Sequence, residues 1–278
     1  MTTNIKGVLM DFSSPKVMGI LNITPDSFFQ ASRKQTEKEI AERVQQMVSE
    51  GADLIDVGGY SSRPSATFVS EQEEIERLRY GLGILFREAP GAIVSVDTFR
   101  SEVAKICVEE YGAAIINDIS GGELDTQMFD TVAKLQVPYI LMHMRGTPQT
   151  MMENTQYDNL MQEILLYFSK KINELHQKGV NDIWIDPGFG FSKTTDQNYE
   201  VLQNLEQFGI FELPVFVGLS RKTMIREVIQ TPAEDALTGT IALNMFALTQ
   251  GANILRVHDV KEAVQTVRIY HKLKPSEP

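Results

Sequence analysis

The chain has 278 residues, one cysteine and 42% hydrophobic residues, and its 37 acidic against 26 basic side chains leave a net charge of −11 at pH 7. A single cysteine, Cys107, excludes an intramolecular disulfide or a cysteine zinc site and fits a reducing, cytoplasmic setting. The acidic balance argues against a nucleic-acid partner, and no run of about 18 uncharged apolar residues offers a membrane span. The opening segment, residues 1–16, lacks an apolar h-region, so no signal peptide is expected.

Eight short apolar runs read as strands, at residues 17–23, 54–57, 93–96, 113–117, 139–143, 183–186, 215–219 and 254–258. They are continuous rather than alternating, as parallel strands buried on both faces require. Helical patterns lie between them. Ile40, Val44, Met47 and Val48 share a face, as do Ile75, Leu78, Leu82 and Leu85. Leu160, Ile164, Phe168, Ile172 and Leu175 form another, and Leu237, Ile241, Met245 and Leu248 a further one. Thr36-x-x-Glu39, Ser70-x-x-Glu73 and Asp259-x-x-Glu262 resemble capping boxes, while Gly51, Gly112, Gly179 and Gly251 read as helix stops. The pattern predicts an α/β fold, a (β/α)8 or TIM barrel, as a single domain over 1–278 with its core at about 17–273. A doubly wound open sheet is the alternative. Its glycine fingerprint is missing after the first strand, where Asn22-Ile23-Thr24-Pro25-Asp26 stands.

In such a barrel the chemistry sits at the C-terminal strand ends. Those ends carry Asn22, Asp56, Asp97, Asn117, His143, Asp186, Ser220 with Arg221 and Lys222, and Arg256 with His258. Any one of them could be a helix cap or a solvated rim charge; together they predict a polar site. Arg221, Lys222, Arg256 and His258 follow the last two strands, where barrels often hold phosphate, and the acidic surface makes a local cation cluster necessary for an anionic substrate. Asp97, Asn117 and Asp186 suit a flat nitrogen heterocycle with several N–H donors. A metal held by the two aspartates is the rival, without the histidine spacing of a zinc site.

These segments resemble the bacterial dihydropteroate synthase family. The likeness begins at Gly19-Ile20-Leu21-Asn22-Ile23-Thr24-Pro25-Asp26-Ser27-Phe28 and continues through Ser61-Ser62-Arg63-Pro64, Ser95-Val96-Asp97-Thr98 and Ile116-Asn117-Asp118. It runs on through Met142-His143-Met144-Arg145-Gly146, Asp186-Pro187-Gly188-Phe189-Gly190-Phe191 and Gly218-Leu219-Ser220-Arg221-Lys222, and closes at Arg256-Val257-His258-Asp259-Val260. All eight segments occur in order over roughly residues 17–270.

The resemblance implies condensation of 6-hydroxymethyl-7,8-dihydropterin diphosphate with p-aminobenzoate, giving 7,8-dihydropteroate and pyrophosphate, in folate biosynthesis. Asp97, Asn117, Asp186 and Lys222 would hold the pterin, with Met142 packed nearby. Asn22, Ser62, Arg63, Arg256 and His258 would hold the diphosphate, with Mg2+ bridging it to Asn22. Phe28, Ser62, Pro64, Phe191, Lys222 and Thr223 would surround p-aminobenzoate. The catalytic set implied is Asn22, Asp26, Arg63, Lys222, Arg256 and His258. The family also implies a homodimer, and its reaction is the step that sulfonamides target. A dissociative C–O cleavage through a pterin-stabilised cation would need cations for the leaving diphosphate and no nucleophilic side chain.

Two segments depart from the family pattern. After Phe28 the usual Ser-Asp-Gly-Gly becomes Phe29-Gln30-Ala31-Ser32, so the loop aspartate is replaced by Gln30. Glu-Ser-Thr-Arg-Pro-Gly becomes Tyr60-Ser61-Ser62-Arg63-Pro64-Ser65. Asp26 or the pyrophosphate itself would then supply the missing charge. Three other functions share parts of the pattern: a pterin-binding methyltransferase, a non-catalytic pterin-binding homologue, and a Schiff-base aldolase using Lys222. The length predicts no fused pyrophosphokinase domain.

Overall fold

The computed structural model describes residues 1–23, 33–60 and 69–273. The expectations placed on Asp26, Phe28, Gln30, Ser62, Arg63 and Pro64 lie outside these residues.

Eight parallel strands form the barrel wall: β3 (Lys16–Asn22), β4 (Leu54–Gly58), β5 (Val94–Asp97), β6 (Ile115–Asp118), β7 (Tyr139–Met142), β8 (Ile183–Asp186), β9 (Phe216–Val217) and β10 (Ile254–Val257). Their order is β8-β7-β6-β5-β4-β3-β10-β9. A parallel bridge from Ile185 to Val215 joins β8 to the chain entering β9 and closes the ring. The open-sheet alternative is thereby overturned. Each predicted strand is present within a residue or two of its expected ends, except that 215–219 is reduced to the two residues of β9.

The helices on the outside are α1 (Arg33–Glu50), α2 (Glu71–Glu88), α3 (Ser101–Tyr111), α4 (Met128–Leu135), α5 (Leu160–Gln177), α6 (Thr195–Gln203), α7 (Thr223–Ile229), α8 (Leu237–Thr249) and α9 (Val260–Leu273). Ile40, Val44 and Met47 are fully buried against the wall, whereas Val48 is 49% exposed and falls off that face. The predicted faces of α2 and α5 are buried as expected. That of α8 holds in part: Leu248 is fully buried and Leu237 and Met245 are half-buried, but Ile241 is exposed, and Thr240 and Asn244 are buried on the same helix.

The helix stops hold. Gly51, Gly112, Gly179 and Gly251 all take positive φ, the conformation a side chain resists. The starts hold only in part. Ser70 caps α2 by accepting the Glu73 N–H at 3.2 Å, but the Glu73 carboxylate turns to Arg77 instead of completing the box. Thr36 lies inside α1. The Asp259 carboxylate pairs with Arg221. A complete capping box stands at Thr194 and Gln197, where none was expected.

The sequence reading places no element before residue 17, yet β1 (Thr2–Ile5) and β2 (Val8–Asp11) form an antiparallel hairpin. Lys6 and Gly7 turn it with φ of 51° and 84°. Ile5 and Phe12 join Met18, Leu54, Ile115, Ile140, Trp184, Phe216 and Ile254 in one apolar cluster. Those strand residues alternate with outward-packed ones, so the cluster fills the barrel interior from its lower end. Phe12 meets Trp184 edge to face at 5.4 Å, and the Trp184 indole donates to Thr3 Oγ1 at 2.8 Å. With the lower barrel packed solid, the upper, C-terminal end is where polar groups collect.

Candidate active site

Strand register sets the polar layer. Asp56 pairs with Ser95, Gly58 with Asp97, Asp97 with Asn117, and Met142 with Asp186. Side chains two residues apart on a strand share a face, so these groups all enter the barrel mouth. Asn22 ends β3, and its Oδ1 and the Asp97 Cβ both lie within 4 Å of the space over Gly58.

Arg256 occupies the centre. Its Nε donates to Asp56 Oδ2 at 2.6 Å and its Nη2 to Asp97 Oδ2 at 2.9 Å. Asn117 Nδ2 donates to the same Asp56 oxygen at 3.1 Å. Burial works against the Arg256 charge, but the Asp56 and Asp97 carboxylates more than offset it and keep the guanidinium ionised. Burial pushes Asp97 up to about 7, with Arg256 pulling the other way. Asp186, at the end of β8, is also raised by burial, with the Lys222 charge opposing, and its Oδ1 accepts the Gly188 N–H at 2.8 Å.

Lys222 reaches in from the turn before α7. Its ammonium donates to the Phe189 carbonyl and stands 4.9 Å from the Phe191 ring centroid. Burial brings its pKa down to about 8. Gly218 faces both cations: a Cβ there would lie 3.8 Å from the Lys222 nitrogen and 4.0 Å from the Arg256 Cβ, in ordinary contact with each. Thr223 opens α7 beside it. Met142 lies in a small apolar cluster with Ile119, Met144 and Met151, with Phe99, Leu124 and Phe191 against it. The pterin acceptors and the two cations thus share one mouth, with an apolar wall on the β6–β8 side.

Two expectations about charge need correction. His258 is not a second cation: burial, aided by Arg256, lowers its pKa to about 4, and its Nδ1 sits 3.0 Å from Ser220 Oγ. Arg221 does not face the site. It makes a bidentate pair with Asp259 at 2.7 and 2.9 Å and donates to the Ala233 and Glu234 carbonyls. The anion-binding charge therefore rests on Arg256 and Lys222 among the described residues.

Sequence reasoning passed over Asp56 as a site member, although the strand-end pattern had marked it. It also passed over Lys193, which a polar loop setting makes look exposed and which is 2% exposed. Among the described residues no group of three or more histidine, cysteine, aspartate or glutamate side chains could hold a metal ion. Asn22 offers one amide oxygen. That fits a magnesium ion, which takes one or two protein oxygens and completes its shell with phosphate and water, and it does not fit a metal caged by protein alone.

The fold and this site define a pterin-binding enzyme, and comparison with known proteins agrees. Residues 18–258 match the family described as "Pterin binding enzyme". The dihydropteroate synthase of Escherichia coli is 39% identical over 95% of this chain and 93% of its own length. The folate synthesis bifunctional protein of Arabidopsis thaliana is 40% identical over 94% of this chain, which spans only 57% of that longer protein. The solved dihydropteroate synthase of Xanthomonas albilineans with 4-aminobenzoic acid superposes with a TM-score of 0.89 at 34% identity, covering 99% of both chains. The chain belongs to the dihydropteroate synthase family of pterin-binding enzymes, transferases of folate biosynthesis.

Proposed function

We propose that this site joins 6-hydroxymethyl-7,8-dihydropterin diphosphate to p-aminobenzoate, releasing pyrophosphate and 7,8-dihydropteroate. The observation that carries the reading is the meeting of Asp97, Asn117 and Asp186 with Arg256 and Lys222 in one barrel mouth. Acceptors for a flat ring and cations for its diphosphate tail are both present.

Asp97, Asn117 and Asp186 hold the ring amine and N–H groups, with Met142 against the ring face. Lys222 donates to the ring and, with Phe191 and Thr223, borders p-aminobenzoate. Arg256 passes from its carboxylate partners to the diphosphate, and neutral His258 donates a hydrogen bond there. The methylene C–O bond breaks, and its electron pair leaves with pyrophosphate. The ring delocalises the cation. The aniline lone pair then forms the C–N bond, and its proton passes to pyrophosphate or water. The aniline is unprotonated at neutral pH, so no side chain has to act as a strong base. Preorganised cations lower the barrier by stabilising the leaving charge. A magnesium ion held through Asn22 would neutralise part of the diphosphate charge when bound. By the family resemblance, Asp26, Phe28, Ser62, Arg63 and Pro64 also belong to the proposed site.

The same reading includes a single pterin-binding domain, a cytoplasmic location and a homodimer. Apolar side chains exposed on α7 and α8 support the homodimer. Ile241 and Phe246 on α8 are exposed, as are Val228 and Ile229 on α7, and exposed large apolar side chains on neighbouring helices favour a covering surface.

Titrating the protein with the dihydropterin diphosphate tests the pocket. Binding that weakens at least about tenfold in Asp186→Asn supports it, and equal binding by wild type and variant contradicts it.

A further inference from the structure

Lys193 lies beyond the strand end that carries Asp186, and it is buried. A buried lysine normally has a carboxylate partner. Among the described residues this one has none within hydrogen-bond reach. Its ammonium instead meets three acceptors, each at 3.1 Å: His143 Nδ1, the Gly188 carbonyl and the Phe191 carbonyl. Burial, with the Lys193 charge next, holds the His143 imidazole well below its usual range. The ring is therefore neutral, with Nδ1 able to accept. Burial brings the Lys193 pKa down to about 7, with the Asp186 charge opposing, and in the charged form three donors face three acceptors.

The segment pinned in this way is unusual. Gly188 has φ of 71° and Ser192, a residue with a side chain, has φ of 46°. A Cβ at Gly188 would lie 2.1 Å from the His143 carbonyl, so the turn sits directly on the end of β7. Ser192 Oγ accepts the Arg145 N–H at 3.0 Å, and the Tyr157 hydroxyl donates to the Ser192 carbonyl at 3.0 Å. The turn presents the Phe189 carbonyl that receives the Lys222 ammonium, and the Phe191 ring beside it. An apolar side chain would fill the same space without the cost of burying a charge. What lysine adds is a three-way tie between β7 and both ends of the turn.

We infer that Lys193 is a positioning residue that clamps the Gly188–Phe191 turn to His143 and thereby sets Phe191 for p-aminobenzoate. The inference rests on the proposed reading that this side of the mouth takes the aniline substrate.

Steady-state kinetics with both substrates varied test it in Lys193→Met. The expected result is a KM for p-aminobenzoate raised about tenfold, with the Kd for dihydropterin diphosphate within about twofold of wild type. A merely structural role would lower Tm and leave that ratio alone. Lys193→Met/His143→Leu removes the ammonium together with the imidazole that accepts from it, leaving only the Gly188 and Phe191 carbonyls without their donor; it is the second variant to measure where the single one folds poorly, and the same split is expected. Both KM values unchanged, or both rising together, overturns the inference. Absence of turnover in the wild type overturns the functional reading on which it stands.

Discussion

Arg256 and Asp97, the one assigned to the diphosphate and the other to the pterin ring, are hydrogen-bonded to each other at 2.9 Å. The cation for the tail and an acceptor for the ring neutralise one another in the structure, with Asp56 holding the second guanidinium edge. Substrate binding has to exchange this pair for two new ones.

That exchange has a pH signature. Burial lifts Asp97 to about 7, so the carboxylate that accepts ring N–H groups is fully ionised only above that pH. Binding of the dihydropterin diphosphate is expected to weaken as pH falls below about 7. In Arg256→Gln, which removes the charge that favours ionisation, the fall moves to higher pH. Fluorescence titrations across that range check it, and an unshifted midpoint contradicts the pairing.

Stability runs the opposite way. The folded pKa of Asp97 lies above the ordinary carboxylate value, so the fold favours the protonated form. Its stabilising contribution is complete below about pH 4 and is lost as pH rises towards about 7. Asp97→Asn, which cannot ionise, is expected to abolish pterin binding while raising Tm at pH 8 by about 3 °C relative to wild type. Thermal melts at pH 5 and pH 8 measure the difference.

Lys222 loses its charge through about pH 8, so turnover is expected to fall on the basic side with that midpoint. Lys222→Gln loses the basic limb and about 10²-fold in kcat. A limb that persists in the variant assigns it to another group.

His258 stays neutral through the physiological range because burial and Arg256 depress its pKa to about 4. A ring-proton NMR titration is expected to show no His258 midpoint near 6.5. Such a midpoint would return it to the cation count.

The lower end of the barrel carries stability and no chemistry. Phe12→Ala removes the ring packed edge to face on Trp184 and is expected to cost about 3 kcal/mol in denaturant unfolding. Both substrate KM values are expected to stay at wild type.

Much of this was legible in the sequence because barrel geometry turns sequence position into place. Buried parallel strands announce themselves as apolar runs, and the polar residue ending each run falls at the mouth. Asp97, Asn117, Asp186, Lys222 and Arg256 were readable in that way. What escaped depends on contacts distant in the chain. Arg221 and Arg256 look alike in sequence, and only the partner Asp259 or Asp56 decides which faces the site. His258 reads as a base until its burial beside Arg256 is known. Lys193 reads as a loop cation until the turn closes over it. The β1–β2 hairpin was hidden by brevity: its strands have four residues each, and its Lys-Gly turn carries little signal alone.

The most direct measurement is product formation. The purified protein is incubated with Mg2+, the dihydropterin diphosphate and p-aminobenzoate, and dihydropteroate is followed by chromatography. The account predicts product that requires the protein and both organic substrates, with pyrophosphate released in equal amount. Pterin diphosphate bound and returned intact, with no dihydropteroate formed, would contradict it.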